Sequence, residues 1–186
     1  MWSLRKGSHD WKGIIHCVRK SVPDAQFLFL GTGVDEATVI NDLRVSDTRG
    51  IRCVSTYNPV ELPTLLGPCA VGIFPSYIEG FGIGVIEQLA CGIPTVAYDV
   101  PGPRHIFGAN KQFLVSVGDT SAIADRAIEF LQASKTEYEA LSAKCCQIAE
   151  QFRWEQIASD TIRDYETALV RQNSKTPDSS ASTVTI

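Results

Sequence analysis

The chain has 186 residues, 44% of them hydrophobic, which gives enough apolar surface for one core of ordinary size. Its formal net charge is -4 and its charged residues are dispersed, so no basic face for nucleic acid or anionic lipid is visible. No stretch approaches the roughly 18 to 20 apolar residues of a membrane span, and the first residues lack an apolar leader, so we expect a cytoplasmic protein.

The first hundred residues alternate between short apolar runs and segments with helical spacing. The apolar runs predict buried strands at residues 27–30, 51–54, 70–74 and 94–98. The spacing of apolar residues predicts helices at residues 9–21, 36–43 and 60–66. This alternation is typical of an α/β fold in which helices cover both faces of a parallel sheet, a three-layer arrangement.

The second half of the chain reads mostly as helix. A turn-rich loop at 99–103 and a weak strand at 113–115 precede helices predicted at 120–133, 135–151 and 154–171. Residues 173–186 are rich in Ser and Thr and have little to bury, which favours disorder. We therefore expect one domain over residues 1–172 and a disordered tail over 173–186.

A glycine-rich stretch carries most of the chemical information. Gly80, Gly82 and Gly84 follow a predicted buried strand and open a helix, so a ligand can approach the backbone and its free N–H groups. The positive end of the helix dipole lies at the same place, which favours a phosphate or pyrophosphate. Ligands of open α/β sheets bind at this carboxyl edge of the strands.

Two carboxylates accompany these glycines. Glu79 lies in the loop and Glu87 about two helical turns further on, roughly on one side of the helix. A carboxylate accepts two hydrogen bonds from a vicinal diol, so each can hold one sugar ring of a ligand. Ordinary surface acids beside a glycine turn are the alternative interpretation, with Glu79 stabilised by the helix dipole.

The stretch Pro75-Ser-Tyr-Ile-Glu79-Gly80-Phe81-Gly82, followed by Glu87 and by Ala-Cys-Gly-Ile-Pro94, resembles the Glu-x7-Glu motif of retaining GT-B glycosyltransferases of family 4. Lys6-Gly7 and Gly31-Thr-Gly33 upstream follow the family's order, as does Phe152-Arg-Trp154-Glu155 downstream. The similarity covers about residues 5 to 171. It implies a Rossmann-like domain, the donor-binding C-terminal half of a GT-B enzyme, with extra C-terminal helices.

The resemblance also assigns roles to individual residues. Glu79 would bind hydroxyls of the transferred sugar, Glu87 the ribose, and Lys6 the diphosphate, which makes Glu79 and Lys6 the catalytic candidates. The Arg that the family usually places before this Lys falls at Met1, so either Arg5 substitutes for it or the residue was lost upstream. The remaining implied donor contacts are Arg5, Gly31, Gly33, Tyr57, Gly80, Phe81, Gly82 and Ile83.

Other candidates are weaker. Gly31-Thr-Gly33 resembles the start of a dinucleotide fingerprint, but Glu36 stands where the third glycine is expected. Tyr57 can face a nucleobase. The six cysteines show no metal-ligand spacing, and Asp-x-Asp is absent, so neither a metal nor another cofactor is expected. The turn at 101–103 stands where the family often has a Gly-Gly pair, which puts the usual contact there in doubt.

The expected function is therefore the donor half of a retaining hexosyltransferase. An NDP-sugar is the expected ligand. The expected partner is an N-terminal acceptor domain or a separate subunit, because the residues before Trp2 leave no room for a second Rossmann unit. The acceptor itself can be peripheral to a membrane. Two alternatives stay open: a non-catalytic nucleotide-sugar-binding module, and a docking subunit of a split transferase. The residue at Met1 favours these alternatives, whereas the Glu79 and Glu87 pair favours a working donor site.

Overall fold

A computed structural model describes residues 1–173 of the chain as an α/β protein. The strands are β1 Phe27–Leu30, β2 Ile51–Val54, β3 Gly72–Phe74, β4 Thr95–Tyr98 and β5 Leu114–Val115. The α-helices are α1 Trp11–Ser21, α2 Glu36–Leu43, α3 Leu62–Leu66, α4 Ile83–Ala90, α5 Pro101–Phe107, α6 Thr120–Leu131, α7 Lys135–Glu150 and α8 Trp154–Asn173. Short 3₁₀ helices occupy Leu4–Lys6, Pro59–Glu61 and Lys111–Phe113.

The strands are parallel, as the alternation of strands and helices predicts, and they form two sheets. In the first, β1 pairs with β2, and Phe27 lies opposite Ile51. In the second, β4 lies between β3 and β5, with Gly72 opposite Thr95 and Ala97 opposite Leu114. All four residues of β4 are buried, because strands flank it on both sides and helices α4 and α6 pack against it.

Two helix pairs cover the sheets. Helix α1 packs on α6, and α4 packs on α7. The apolar stripe of α1, which includes Ile14, Ile15 and Val18, is buried, as its spacing predicts. Helix α2 begins where Asp35 accepts the Thr38 N–H at 2.7 Å, an N-cap that supplies a partner for one free amide of the first turn.

The predicted loop at 99–103 is wrong in part, because α5 begins at Pro101. Proline suits the first turn of a helix, whose N–H groups have no intrahelical partner, so the Pro-Gly-Pro sequence starts this helix instead of continuing a turn. The helices predicted at 9–21 and 60–66 begin two residues later in the structure, at Trp11 and Leu62.

The chain divides into two compact units, residues 1–150 and residues 151–186. The second unit contains α8, most of whose side chains are exposed. The single domain expected over residues 1–172 stays a prediction. The predicted disordered tail lies outside the described residues apart from Asn173, the last residue of α8. Within residues 1–173, no helix combines the length and apolarity needed to cross a membrane.

Candidate functional site

The glycine-rich segment forms the loop between β3 and α4, at the carboxyl end of a strand. Gly82 is the N-cap of α4 and has a φ of 97°, a left-handed conformation that glycine adopts without strain. The Val85 N–H makes the first bond of the helix, to the Gly82 carbonyl at 2.8 Å. The amides of Ile83 and Gly84 precede that bond and lie at the positive end of α4, where an anion is stabilised.

An ion pair crosses the mouth of this loop. The Lys6 ammonium donates a hydrogen bond to the Glu79 carboxylate, although the two residues are 73 positions apart in the sequence. The Lys6 side chain is 27% exposed and that of Glu79 is 16% exposed, so both remain within reach of a ligand. Lys6 Nζ also lies 5.4 Å from the centroid of the Phe74 ring, within the range of a cation–π interaction.

The position of Lys6 depends on the glycine that follows it. Gly7 ends the 3₁₀ helix Leu4–Lys6 with a φ of 74°, and a Cβ at Gly7 would lie 2.0 Å from the Pro75 carbonyl oxygen. Next to this contact, the Tyr77 N–H donates to the Arg5 carbonyl at 2.9 Å. The backbone around Lys6 is therefore attached directly to the glycine-rich loop.

The second carboxylate lines the same cleft and lies on α4. Glu87 is partly buried, and burial raises the pKa of its carboxyl above the ordinary value. Burial, followed by the nearby Glu87 carboxylate, raises the pKa of the Tyr57 hydroxyl. The Tyr57 ring also lies against Gly31, where a Cβ would be 3.5 Å from its Cε1. The Tyr57 ring, the Gly31 backbone and the Glu87 carboxylate therefore lie together at one wall of the cleft.

These groups line one open cavity of about 960 Å³. Eight of the predicted site residues line it: Lys6, Gly31, Tyr57, Glu79, Phe81, Gly82, Ile83 and Glu87. Among the described residues, the lining does not include Arg5, Gly33 or Gly80. The Arg5 side chain is exposed, and Gly33 donates its N–H to the Ser55 carbonyl at 3.0 Å, in the turn after β1.

A polar network centred on the buried Asp10 lies behind the loop, and sequence reasoning did not predict it. Asp10 is 7% exposed and accepts the Tyr98 hydroxyl at 2.7 Å. His9 Nε2 lies 3.3 Å from Asp10 Oδ1. The His9 ring stacks on the Tyr77 ring, with 5.1 Å between the ring centroids. Burial, then the bond to Asp10, raises the pKa of Tyr98 far above its usual range. The network fixes Tyr77, and with it the loop that carries Glu79.

Helix α5 supports the loop from the other side. Gly102 donates its N–H to the Glu79 carbonyl at 3.3 Å, and a Cβ at Gly102 would lie 2.5 Å from the Phe81 carbonyl oxygen. Arg104 forms a salt bridge with Asp99 at 2.7 Å, so these two side chains are engaged with each other. The described residues contain no group of three or more side chains placed to hold a metal ion.

The arrangement of parallel sheets, covering helices and a glycine loop at a strand end is that of GT-B glycosyltransferases. Sucrose-phosphate synthase from Thermosynechococcus elongatus superposes with a TM-score of 0.73 at 23% identity, over 91% of this chain and 44% of that one. HepE of Anabaena, solved with UDP and glucose, superposes with a TM-score of 0.69 at 19% identity, over 89% of this chain and 46% of that one.

Sequence comparison identifies the family. The profile of the family described as Glycosyl transferases group 1 matches residues 5–152, so the chain belongs to that family. D-inositol 3-phosphate glycosyltransferase of Rhodococcus erythropolis is 31% identical over 150 residues, which are 78% of this chain and 34% of that protein. The chain thus spans about a third of the length of this relative. The expected α/β GT-B fold and the expected membership of a glycosyltransferase family are confirmed, whereas the C-terminal position of the domain and the retaining chemistry stay predictions.

Proposed function

We propose that the chain is the donor-binding, C-terminal half of a retaining glycosyltransferase that moves a hexosyl group from an NDP-sugar to an acceptor hydroxyl. One observation carries the proposal: the fold brings Lys6 and Glu79 into contact at the N-terminus of α4 and places Glu87 in the same cleft. One ammonium, two carboxylates and the amides of Ile83 and Gly84 match the charges and hydroxyls of a nucleotide sugar.

The diphosphate binds at the N-terminus of α4. The Ile83 and Gly84 amides donate to phosphate oxygens, and the Lys6 ammonium offsets the negative charge that grows on the leaving group as the glycosidic bond breaks. Lys6 then exchanges part of its contact with Glu79 for a contact with phosphate. The proposal requires neither a metal nor another cofactor.

The two sugar rings bind to the two carboxylates. Glu79, in the loop, accepts hydrogen bonds from hydroxyls of the transferred hexose, and Glu87, one turn into α4, accepts those of the ribose. Tyr57 lies beside Glu87 and offers a ring on which the nucleobase can stack. HepE, solved with UDP and glucose, supports this class of ligand through its similar fold.

The acceptor hydroxyl must come from a second body. Retention of configuration requires the acceptor to reach the anomeric carbon from the face that the diphosphate leaves, and this chain spans only about a third of the length of a related glycosyltransferase. We therefore place acceptor binding on an N-terminal domain or a separate subunit. NMR of the product formed with such a domain tests retention, since an inverted anomeric centre contradicts it.

A non-catalytic binding or docking subunit is the second candidate. Its support is that the Arg5 side chain is exposed and lies outside the lining of the cleft, so Lys6 is the cation that faces the proposed diphosphate position. Such a subunit binds nucleotide sugar through Glu87 and the glycine loop but gives no transfer when an acceptor domain is added. Transfer activity in that mixture separates the two candidates.

Calorimetric titration of the purified chain with UDP, GDP, ADP and their hexose conjugates, without added metal, tests the proposed site. We expect saturable binding by wild type, no detectable binding by Glu87→Ala, and unchanged binding by Glu139→Ala, whose carboxylate is exposed on α7. Equal binding of UDP and UDP-sugar by wild type and Glu87→Ala would rule out the site. The cytoplasmic location of the protein stays a prediction.

A further inference from the structure

Asp10 contacts both segments of the proposed donor site. It lies directly before α1, and its N–H donates to the Gly7 carbonyl at 3.0 Å, next to Lys6. Its side chain acts on Tyr77, two residues before Glu79: burial, and then a hydrogen bond to Asp10, raises the pKa of the Tyr77 hydroxyl. One residue therefore touches the segment that carries the cation and the segment that carries the carboxylate.

The Tyr77 ring is also held by three neighbours from other parts of the fold. His9 stacks on it with 5.1 Å between the ring centroids, and Tyr98, at the end of β4, meets it edge-on at 5.5 Å. Gly118, in the loop between β5 and α6, lies so close that a Cβ there would be 3.2 Å from the Tyr77 hydroxyl oxygen. Because close-packed side chains have few alternative positions, the ring transmits the position of its hydroxyl to its backbone.

The Tyr77 backbone carries this constraint to Lys6. The Tyr77 N–H donates to the Arg5 carbonyl at 2.9 Å. Gly7, on the other side of Lys6, touches the same loop so closely that a Cβ there would lie 2.0 Å from a backbone oxygen. The contact between the Lys6 ammonium and the Glu79 carboxylate forms across this junction, so its geometry depends on where Tyr77 lies.

The charge of Asp10 gives this hold its strength. A carboxylate removed from water is stabilised by the hydrogen bonds that its oxygens accept, and one that loses a partner costs more than a neutral group does. The Asp10 carboxylate is buried, with the Tyr98 hydroxyl at 2.7 Å and His9 Nε2 at 3.3 Å from its oxygens. Displacement of the Tyr77 hydroxyl would remove a further partner, so Asp10 favours the arrangement in which Tyr77 stays in place.

We propose that Asp10 is a positioning residue of the donor site, which holds Tyr77 so that the Lys6 ammonium and the Glu79 carboxylate meet beside the N-terminus of α4. Asp10 acts through Tyr77 and does not touch the donor. Its effect on donor affinity rests on the proposed function, whereas its effect on the loop does not. Without this hold, the cation that the diphosphate needs is displaced from the amides that bind the same group.

Asp10→Asn tests the charge with little change of shape. The amide oxygen can accept one tyrosine hydroxyl, but the amide nitrogen is a donor and does not replace the second carboxylate oxygen. We expect UDP and UDP-glucose to bind roughly 3- to 30-fold more weakly in calorimetric titration of the full chain, the size of effect that residues acting through others have.

Removal of a single hydroxyl separates positioning from a general loss of stability. Tyr77→Phe keeps the ring contacts and loses the bond to Asp10, so it is expected to weaken UDP binding by a similar factor. Tyr138→Phe is the matched control, because Tyr138 donates to the Ala70 carbonyl at 2.9 Å, near the other end of β3. This control is expected to bind UDP normally. The measurements on Tyr77→Phe decide the proposal if Asp10→Asn does not fold.

Hydrogen exchange of backbone amides tests the hold on the loop without any ligand. In Asp10→Asn and in Tyr77→Phe, we expect exchange of the amide at position 77 to accelerate about tenfold more than that of the Gly72 amide. The Gly72 N–H donates to the Pro94 carbonyl at 2.9 Å, at the start of the same strand. A merely structural role would accelerate both amides by the same factor, through unfolding of the whole chain.

A double-mutant cycle shows whether Asp10 acts through Lys6. In the Lys6→Met background, Asp10→Asn is expected to change UDP affinity less than about twofold, because independent residues would instead contribute additively. The proposal is overturned if Asp10→Asn has the same effect in both backgrounds, if Tyr77→Phe binds UDP like Tyr138→Phe, or if the two amides accelerate equally. A wild-type chain that binds neither UDP nor UDP-glucose contradicts the proposed function instead, and the exchange rates then decide whether Asp10 holds the loop.

Discussion

Lys6 and Glu79 are paired with each other, so a diphosphate that binds at α4 competes with Glu79 for the ammonium. Glu79→Gln removes this competition and is expected to bind UDP at least as tightly as wild type, while losing preference for UDP-sugar over UDP.

Lys6→Met removes a charge-assisted contact of about 1.5–3 kcal/mol and is expected to weaken the binding of UDP and of UDP-sugar roughly 10- to 100-fold. Calorimetry with UDP and UDP-glucose measures both; equal weakening of UDP by the two variants contradicts the assignment.

Glu87 gives the site a pH dependence of definite sign. Burial raises its folded-state pKa above the ordinary value of 4.5, so the folded chain disfavours the carboxylate. Below pH 4.5 the group is protonated in both states, and the cost is absent; it grows as pH rises and is complete above the folded-state pKa. Urea unfolding of wild type and Glu87→Gln should therefore show the variant gaining relative stability between pH 4.5 and neutrality. A gain confined to lower pH contradicts the burial of this carboxyl.

At the scale of elements, α5 controls the shape of the glycine loop. Gly102 has no positive φ, so its need for glycine is steric: a Cβ would lie 2.5 Å from the Phe81 carbonyl oxygen. Gly102→Ala is expected to move α5 away from the loop, destabilise the chain by about 1–3 kcal/mol and weaken donor binding. Thermal unfolding and UDP titration measure the two effects.

The matched control is Gly13→Ala in α1. There the nearest atom to a new Cβ is Thr120 Oγ1 at 3.5 Å, an ordinary contact, and alanine favours a helix interior by about 0.5–1 kcal/mol. We expect this variant to be slightly more stable and to bind UDP normally. A Gly102→Ala chain that behaves in the same way would show that α5 does not support the loop.

Elements defined by local pattern were predictable, whereas those defined by distant contacts were not. The strands β1 and β2 and helix α2 follow from short apolar runs and helical spacing, and their predicted bounds are the observed ones. Helix α5 was missed because Pro-Gly-Pro has turn chemistry, and its stability depends on Gly102 meeting Phe81 across the fold.

The site shows the same division between local and distant information. Lys6, Glu79 and Glu87 were named from motif and residue type, but the contact between Lys6 and Glu79 spans 73 positions and has no local signal. The Asp10 network was missed for the same reason, because Tyr98 reaches Asp10 across 88 positions. The separation of β1 from β3 is a property of strand pairing, which the apolar pattern of a single strand does not encode.

At the scale of the whole molecule, the residues that form the cleft come from one compact unit. The lining runs from Met1 to Leu131, the buried network behind the loop lies within residues 9–98, and this unit ends at Glu150. Helix α8 belongs to the second unit and exposes Trp154, Ile162 and Tyr165. Donor recognition should therefore require the first unit and not the second.

A chain ended after Glu150 tests this division. We expect it to unfold in one cooperative transition and to bind UDP within about twofold of the full chain, because distant, independent parts contribute additively. Glu87→Ala in the shortened chain should abolish binding, which shows that the same site is being measured. Loss of cooperative unfolding on removal of the second unit would instead support the single domain predicted for residues 1–172, since α8 would then be part of the same folding unit as the cleft.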